Sequence, residues 1–310
     1  MLEAAGHHLS INPIHNKPIT PQSLIRYCRE NDALIVSGFA KLDERFFSKC
    51  RHLKAVALFS VGYDNVDLEA ATHYGIPVSN TPNVLSKATA ETAFLLMLAV
   101  SRKAFYNYSK ILNGEWKQFE PVADLGQAIF GKTLGIFGMG KIGYAMAKLC
   151  REAFQMKIIY FSRSRKPKAE EALEARFVSF HELLEQSDVL SVHANLSSQT
   201  TGLFNRENFL RMKPHAIFIN TARGAMHDEN DLIWALKKKV IWGAGLDVTN
   251  PEPMHSDNPL LKMPSVCVLP HIGSATRETR DAMASLVAVN LIAASKGERM
   301  PTVVNPKVYD

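Results

Sequence analysis

The chain has 310 residues, 46% hydrophobic, 21% charged and 9% aromatic. That is an ordinary globular composition, which excludes a disordered chain and fits about two domains. Lys plus Arg exceed Asp plus Glu by 36 to 30, a formal net charge of +6 that suits anionic ligands but is too diffuse to indicate nucleic acid. The longest apolar run, residues 93–100 between Glu91 and Ser101, is far below the roughly 18 residues of a membrane span, which excludes a membrane protein.

The opening MLEAAGHHLSINPIH lacks the basic start and apolar core of a signal peptide. Cys28, Cys50, Cys150 and Cys267 are scattered, with no C-x-x-C pair and no zinc-like spacing, so the expectation is buried, reduced thiols in a cytoplasmic protein without a metal site.

In chain order, short β-branched runs alternate with helical patterns, the signature of a parallel α/β sheet. Residues 33–36, 55–59 and 77–79 read as strands, with helices over 43–49 and 67–73, the second ending at Gly75. Residues 88–106 read as one long helix connecting two units. Strand-like runs then recur at 133–137, 157–161, 189–193, 216–220, 243–248 and 266–269. Helical patterns at 142–154, 181–185, 206–212 and 229–238 separate most of them. Six strands with intervening helices match a doubly wound dinucleotide-binding sheet. A helix-compatible stretch from 276 to 294 would return the chain to the first unit. The expectation is two Rossmann-like α/β domains, flavodoxin-like and doubly wound, with the coenzyme domain (99–278) inserted into a substrate domain (1–98 and 279–310).

Gly138-Met139-Gly140-Lys141-Ile142-Gly143 is G-x-G-x-x-G between a strand and a helix, the context that gives the motif meaning. Gly138 permits the tight turn, Gly140 lets the backbone approach a pyrophosphate, and Gly143 lets helix and strand pack closely. The N–H groups that open the helix, at Lys141, Ile142 and Gly143, would face the anion. About 19 residues on, where an NAD enzyme places Asp or Glu for the ribose 2′-hydroxyl, the chain reads Ser162-Arg163-Ser164-Arg165-Lys166-Pro167-Lys168. Residues 156–169 contain no acid, and four cations fall within six positions. Arg163, Arg165 and the Ser162 hydroxyl suit a 2′-phosphate, so NADP is expected ahead of NAD.

Three polar residues lie just past strand ends, where open α/β sheets bind ligands. Arg223 follows the fourth strand, Glu252 the fifth (in Pro251-Glu252-Pro253) and His271 the sixth (in Pro270-His271-Ile272-Gly273). A guanidinium can grip the carboxylate and carbonyl of a 2-oxo acid together, and an imidazolium oriented by a carboxylate can protonate the carbonyl oxygen.

With these motifs stand Ser60-Val61-Gly62-Tyr63-Asp64-Asn65-Val66-Asp67, Ser79-Asn80-Thr81-Pro82-Asn83-Val84-Leu85 and Asn220-Thr221-Ala222-Arg223-Gly224. Through them nearly the whole chain resembles the D-isomer-specific 2-hydroxyacid dehydrogenases, above all the glyoxylate/hydroxypyruvate (2-ketogluconate-type) reductases. The resemblance implies that Arg223, Glu252 and His271 are catalytic, with His271 the acid/base. It implies that backbone N–H groups around Val61 and Gly62 bind the substrate carboxylate. It further implies that Asp247 faces the nicotinamide carboxamide, that Thr221, Ala222 and Gly273 line the cofactor cleft, and that the chain forms a homodimer through the coenzyme domain. The segment 105–130, with Trp116 and Phe119 in polar surroundings, is the expected interface. Family chains begin with a strand before the helix that here would start near Leu2, so one strand of the substrate domain is expected to be absent. Redox-sensing transcriptional corepressors share the fold and triad and are the rival reading. They resemble NAD binders with an acid on the second strand, where this chain has Ser162-Arg163.

Overall fold

The structure, a computed structural model, describes residues 1–12, 19–38 and 40–310; residues 13–15 of the opening segment read above lie outside it. The chain divides into two compact units, Met1–Leu85 with Thr276–Asp310, and Ser86–Ala275.

The first unit opens with a 3₁₀ turn, Glu3–Ala5, closed by Gly6 at φ 85°, in place of the helix expected near Leu2. Next come α1 (Pro21–Cys28), β1 (Ala33–Val36), α2 (Glu44–Lys49), β2 (Ala55–Leu58), α3 (Leu68–His73) and β3 (Val78–Ser79). The three strands form a parallel sheet in the order β1-β2-β3. Sequence reasoning missed α1, although Pro21 occupies its first turn and Thr20 Oγ1 accepts the Ser23 N–H. Asp43 and Asp67 cap α2 and α3 in the same way. Leu24, Phe46, Phe47, Val56, Leu58, Ile76 and Val78 pack as one core.

The second unit begins with α4 (Ser86–Ser101) and α5 (Ala104–Leu112), where one helix was expected. Lys103 adopts left-handed backbone angles (φ 51°) and breaks the ladder without a glycine or proline to signal it. Ala90, Ala93, Leu96, Met97 and Val100 of α4 are buried against Leu134, Ile136, Ile217 and Ile219. That packing places the unit boundary before the helix, at residue 85, where the sequence suggested 98.

Beyond it lie β4 (Thr133–Phe137), α6 (Lys141–Phe154), β5 (Lys157–Phe161), α7 (Pro167–Leu173), β6 (Arg176–Phe177), α8 (Phe180–Gln186) and β7 (Val189–Val192). The chain continues through α9 (Arg206–Leu210), β8 (Ile217–Asn220), α10 (Glu229–Lys237), β9 (Gly243–Leu246) and β10 (Val266–Val268). The sheet is parallel, with seven strands in the order β10-β9-β8-β7-β4-β5-β6. Six were expected; β6 has two residues, too few for a pattern. The order reverses between β4 and β7, and the carboxyl ends on either side of that crevice are where such sheets take ligands. Beneath it Phe137, Phe204 and Phe218 meet ring to ring, each buried. Truncating any of them to Ala costs about 3–5 kcal/mol. The chain then returns to the first unit as α11 (Arg277–Ser295), whose Val287 and Leu291 bury Ala55 and Ala57 of β2.

All four cysteines are free and buried. Among the described residues no helix is long and apolar enough to cross a membrane.

Candidate active site

The glycine motif forms the turn from β4 into α6. Gly138 has φ 97°, and a Cβ there would lie 2.7 Å from the Ala194 nitrogen. A Cβ on Gly143 would sit 2.4 Å from the Gly138 carbonyl oxygen. At Gly140, by contrast, a Cβ would meet no described atom within 4 Å, so space stands open before the helix N-terminus. Side chains of Asp, Asn, Ser or Thr cap α2, α3, α8, α9, α10 and α11, but α6 has Gly140 as its N-cap and no capping side chain. The N-terminus of α6 therefore opens onto that space, the arrangement that holds a phosphate anion. A dinucleotide pyrophosphate fits this cradle.

At the β5 end, Ser162 Oγ donates to the Ser164 carbonyl at 2.6 Å. Arg163 is exposed. Arg165 is engaged by Glu170 through two hydrogen bonds, Nε to Oε1 at 3.1 Å and Nη2 to Oε2 at 2.7 Å. Glu170 lies one residue beyond the acid-free window read from the sequence, so the loop is less cationic than its composition suggests.

The opposite side of the crevice is built on three adjacent strands. Past β8, Asn220 Oδ1 accepts the Ala222 N–H and Asn220 Nδ2 donates to the Arg223 carbonyl, folding the Thr221–Ala222–Arg223 turn. The same amide group lies 3.1 Å from His227 Nδ1. Burial pulls His227 down to about 4, so its neutral ring accepts from Asn220. Sequence reasoning missed His227, which sits in a 3₁₀ cap with no motif around it. A Cβ on Gly224 would lie 2.0 Å from the Thr249 carbonyl oxygen, so glycine is required for this turn to lie against the loop after β9.

That loop carries Glu252, whose Oε1 lies 2.6 Å from His271 Nδ1. With Glu252 ionised, Nδ1–H is the donor, which fixes the tautomer and the orientation of the ring. The two side chains are 20% and 35% exposed, wet enough for a ligand to reach and sheltered enough for the bond to hold. His271 itself lies at φ 54°, unusual for a residue with a Cβ. Asp247, at the β9 end, secures it: its Oδ1 accepts the Ile272 N–H at 2.8 Å and its Oδ2 the Gly273 N–H at 2.7 Å. Burial raises the Asp247 pKa, opposed by these two N–H groups and the His271 charge. At the β7 end, the low-dielectric surroundings pull His193 down to about 3; its ring lies 2.8 Å from Ser191 Oγ and 3.5 Å from Thr221 Oγ1.

In the first unit, Val61 and Gly62 follow β2. Asn80 Nδ2 donates to the Val61 carbonyl at 2.8 Å and Ser60 Oγ to the Gly62 carbonyl at 2.7 Å. Among the described residues neither Val61 nor Gly62 donates its N–H to a backbone or side-chain acceptor.

The family model described as "D-isomer specific 2-hydroxyacid dehydrogenase, NAD binding domain" matches residues 94–273, more than half of the chain. The chain belongs to this family. It is 48% identical over 289 residues to a glyoxylate reductase of Thermococcus litoralis, covering 92% of this chain and 87% of that protein. A solved glyoxylate reductase from Paecilomyes thermophila superposes with a TM-score of 0.83 at 37% identity, over 93% of this chain and 89% of that one. An NADPH-dependent glyoxylate/hydroxypyruvate reductase from Sinorhizobium meliloti, solved with NADP and malonate, gives 0.80 at 33% identity, over 91% and 86%. This 2-hydroxyacid dehydrogenase is thus an oxidoreductase that acts as a 2-oxo acid reductase, and its second unit contains the NAD-binding domain. The corepressor reading is not favoured, since these relatives carry the names of reductases.

Proposed function

We propose that the enzyme reduces a small 2-oxo acid (glyoxylate, hydroxypyruvate or 2-ketogluconate) to the D-2-hydroxy acid, preferring NADPH to NADH, with His271 as proton donor. The observation that carries this reading is the 2.6 Å bond between His271 and Glu252, at the same sheet edge as the uncapped α6 N-terminus. When bound, the nicotinamide cofactor supplies the hydride. Glu252 accepts the Nδ1–H of His271 and fixes the ring, so Nε2 is the nitrogen that delivers the proton to the developing alkoxide. Arg223 grips the carboxylate and carbonyl of the substrate, on a turn held by Asn220. The N–H groups of Val61 and Gly62, their own carbonyls tied back, serve as carboxylate ligands. Gly138, Gly140, Lys141, Ile142 and Gly143 bind the pyrophosphate. Thr221, Ala222, Asp247 and Gly273 line the nicotinamide side.

Support for NADPH comes from Arg163, Arg165 and Ser162 at the β5 end, and from the Sinorhizobium meliloti relative, which is named as NADPH-dependent. A homodimer through the coenzyme domain is supported by Trp116, Phe119 and Val122, exposed at 68%, 85% and 81%, beside Tyr108, Ile111 and Leu112 of α5, also exposed. Large apolar side chains exposed in this number along one stretch of chain gain by burial against a second surface.

The test is oxidation of NADPH and of NADH against a panel of 2-oxo acids. Turnover of glyoxylate or hydroxypyruvate with a lower KM for NADPH is expected. Absence of turnover with every 2-oxo acid would overturn the proposal.

A further inference from the structure

The β5 end holds a hydrogen-bonded network that the proposed reaction does not use. Tyr160, the fourth residue of β5, is fully buried, yet its hydroxyl reaches the surface layer. There it accepts the Lys166 N–H at 2.6 Å and donates to Glu170 Oε1 at 2.5 Å. Glu170, on α7, binds Arg165 along the Nε/Nη2 edge of its guanidinium. Lys166 Nζ donates to Ser164 Oγ, and Ser162 Oγ to the Ser164 carbonyl, so residues 162–166 are held at both ends by their own side chains. Glu170 is 21% exposed and Arg165 67%. The carboxylate is therefore the sheltered, fixed partner, and the guanidinium is the group presented to solvent.

Arginine has five N–H donors in a planar fork. A carboxylate that takes the Nε/Nη2 edge leaves the Nη1 donors and the second Nη2–H for another oxyanion in the same plane. We propose that Glu170, aligned by Tyr160, is a positioning residue for NADP specificity: it holds Arg165 by one edge so that the other edge meets the 2′-phosphate. This rests on the reading that residues 162–165 bind that phosphate. Two effects of Glu170 oppose each other. Its negative charge repels a phosphate, a repulsion that the intervening guanidinium charge offsets and that salt, with a Debye length of about 8 Å, only partly screens at this separation. Its grip removes the rotamer freedom of a long exposed side chain before the ligand arrives, which lowers the entropy lost on binding. The bidentate geometry and the buried tyrosine anchor favour the second effect, and the directions of the pKa shifts agree. Hydrogen bonding to Arg165, then to Tyr160, lowers Glu170, and hydrogen bonding to Glu170 raises Arg165.

The two effects predict opposite signs. Calorimetric titration with 2′,5′-ADP and with 5′-AMP reads the 2′-phosphate contribution without turnover. Positioning predicts that Glu170→Ala weakens 2′,5′-ADP binding by about threefold to tenfold and leaves 5′-AMP unchanged. Tyr160→Phe should shift it in the same direction by less, and Glu170→Gln should fall between wild type and Glu170→Ala. In an Arg165→Ala background, Glu170→Ala should have no further weakening effect, because it acts through the arginine. Tighter or unchanged 2′,5′-ADP binding by Glu170→Ala, while Arg165→Ala weakens it, overturns the positioning role and spares the NADP reading. Parallel losses for both nucleotides would make Glu170 a merely structural residue. If Arg163→Ala and Arg165→Ala leave 2′,5′-ADP binding intact, the NADP reading and this inference both fall.

Discussion

The two edges of the seven-stranded sheet are built from the same parallel strands, yet they treat polar groups in opposite ways. At the amino edge Asp188, just before β7, is saturated by the protein itself: it accepts from the Thr133 N–H at 2.7 Å, Lys213 Nζ at 2.9 Å and His215 Nε2 at 2.8 Å. At the carboxyl edge the α6 N-terminus has no capping side chain, space opens before Gly140, and the His271–Glu252 pair stays partly exposed. Polar groups closed upon one another contribute to stability, whereas those left facing space are available to a ligand. Substitutions should therefore separate cleanly, with kinetic losses from one edge and stability losses from the other.

The largest effect belongs to His271. Replacing it with Gln should lower kcat by about 10²–10⁴, the range for a lost general acid, while a fluorescence titration shows nearly unchanged NADPH binding. A variant that retains most of its kcat would break the comparison at its central point. Next comes Arg163→Ala, which should raise KM for NADPH roughly ten- to hundredfold and leave NADH nearly unaffected, since a lost charge-assisted bond is worth about 1.5–3 kcal/mol. Equal changes for both coenzymes would show that this loop is only a solvated surface.

How much of each edge was legible follows from the physics of each signal. Strand positions, the glycine cradle and Arg223, Glu252 and His271 were readable because apolar runs set the strands and each residue sits a few positions beyond one. Asn220 lay in a quoted motif and Asp247 was named through the family resemblance, but their roles as tethers of the Arg223 turn and the His271 loop depend on backbone geometry that spacing does not encode. Glu170 escaped because its meaning depends on Tyr160 beneath it and on a fold back from α7, a tertiary relation without a local pattern. The same applies to the break at Lys103, where a left-handed residue interrupts a run of good helix formers. Asp188 was equally silent: its partners at 133, 213 and 215 are distant in sequence and meet only when β4, β7 and β8 pair.

Asp188 also gives the comparison its pH dependence. Burial alone would raise its pKa, but hydrogen bonds from Lys213, the Thr133 N–H and His215 outweigh it and lower the carboxyl from 3.8 to about 2. A carboxylate lowered in the folded state contributes stability that is fully present above the unfolded pKa and lost as pH falls through the folded one. The window thus runs from pH 3.8 down to about 2, and the contribution above it is about 2 kcal/mol. Urea unfolding should show Asp188→Asn less stable than wild type at neutral pH, by about 2 kcal/mol, with the gap closing through that window. KM for NADPH should be unchanged. A gap that stays constant with pH would mean that the carboxylate acts by packing alone.

The smallest expected effect returns to the carboxyl edge and asks how finely it is built. Ser162 Oγ donates to the Ser164 carbonyl, so its hydroxyl proton is already committed to shaping the loop. A phosphate that captured this proton would have to break the turn, so the hydroxyl and the guanidinium groups do not add independently. Ser162→Ala should therefore raise KM for NADPH only about two- to fivefold, well below Arg163→Ala, with the NADH value unmoved. A loss equal to that of Arg163→Ala would mean that the hydroxyl turns away from Ser164 to the phosphate. Part of the carboxyl edge would then be remade by its ligand, where the paired groups of the amino edge stay fixed.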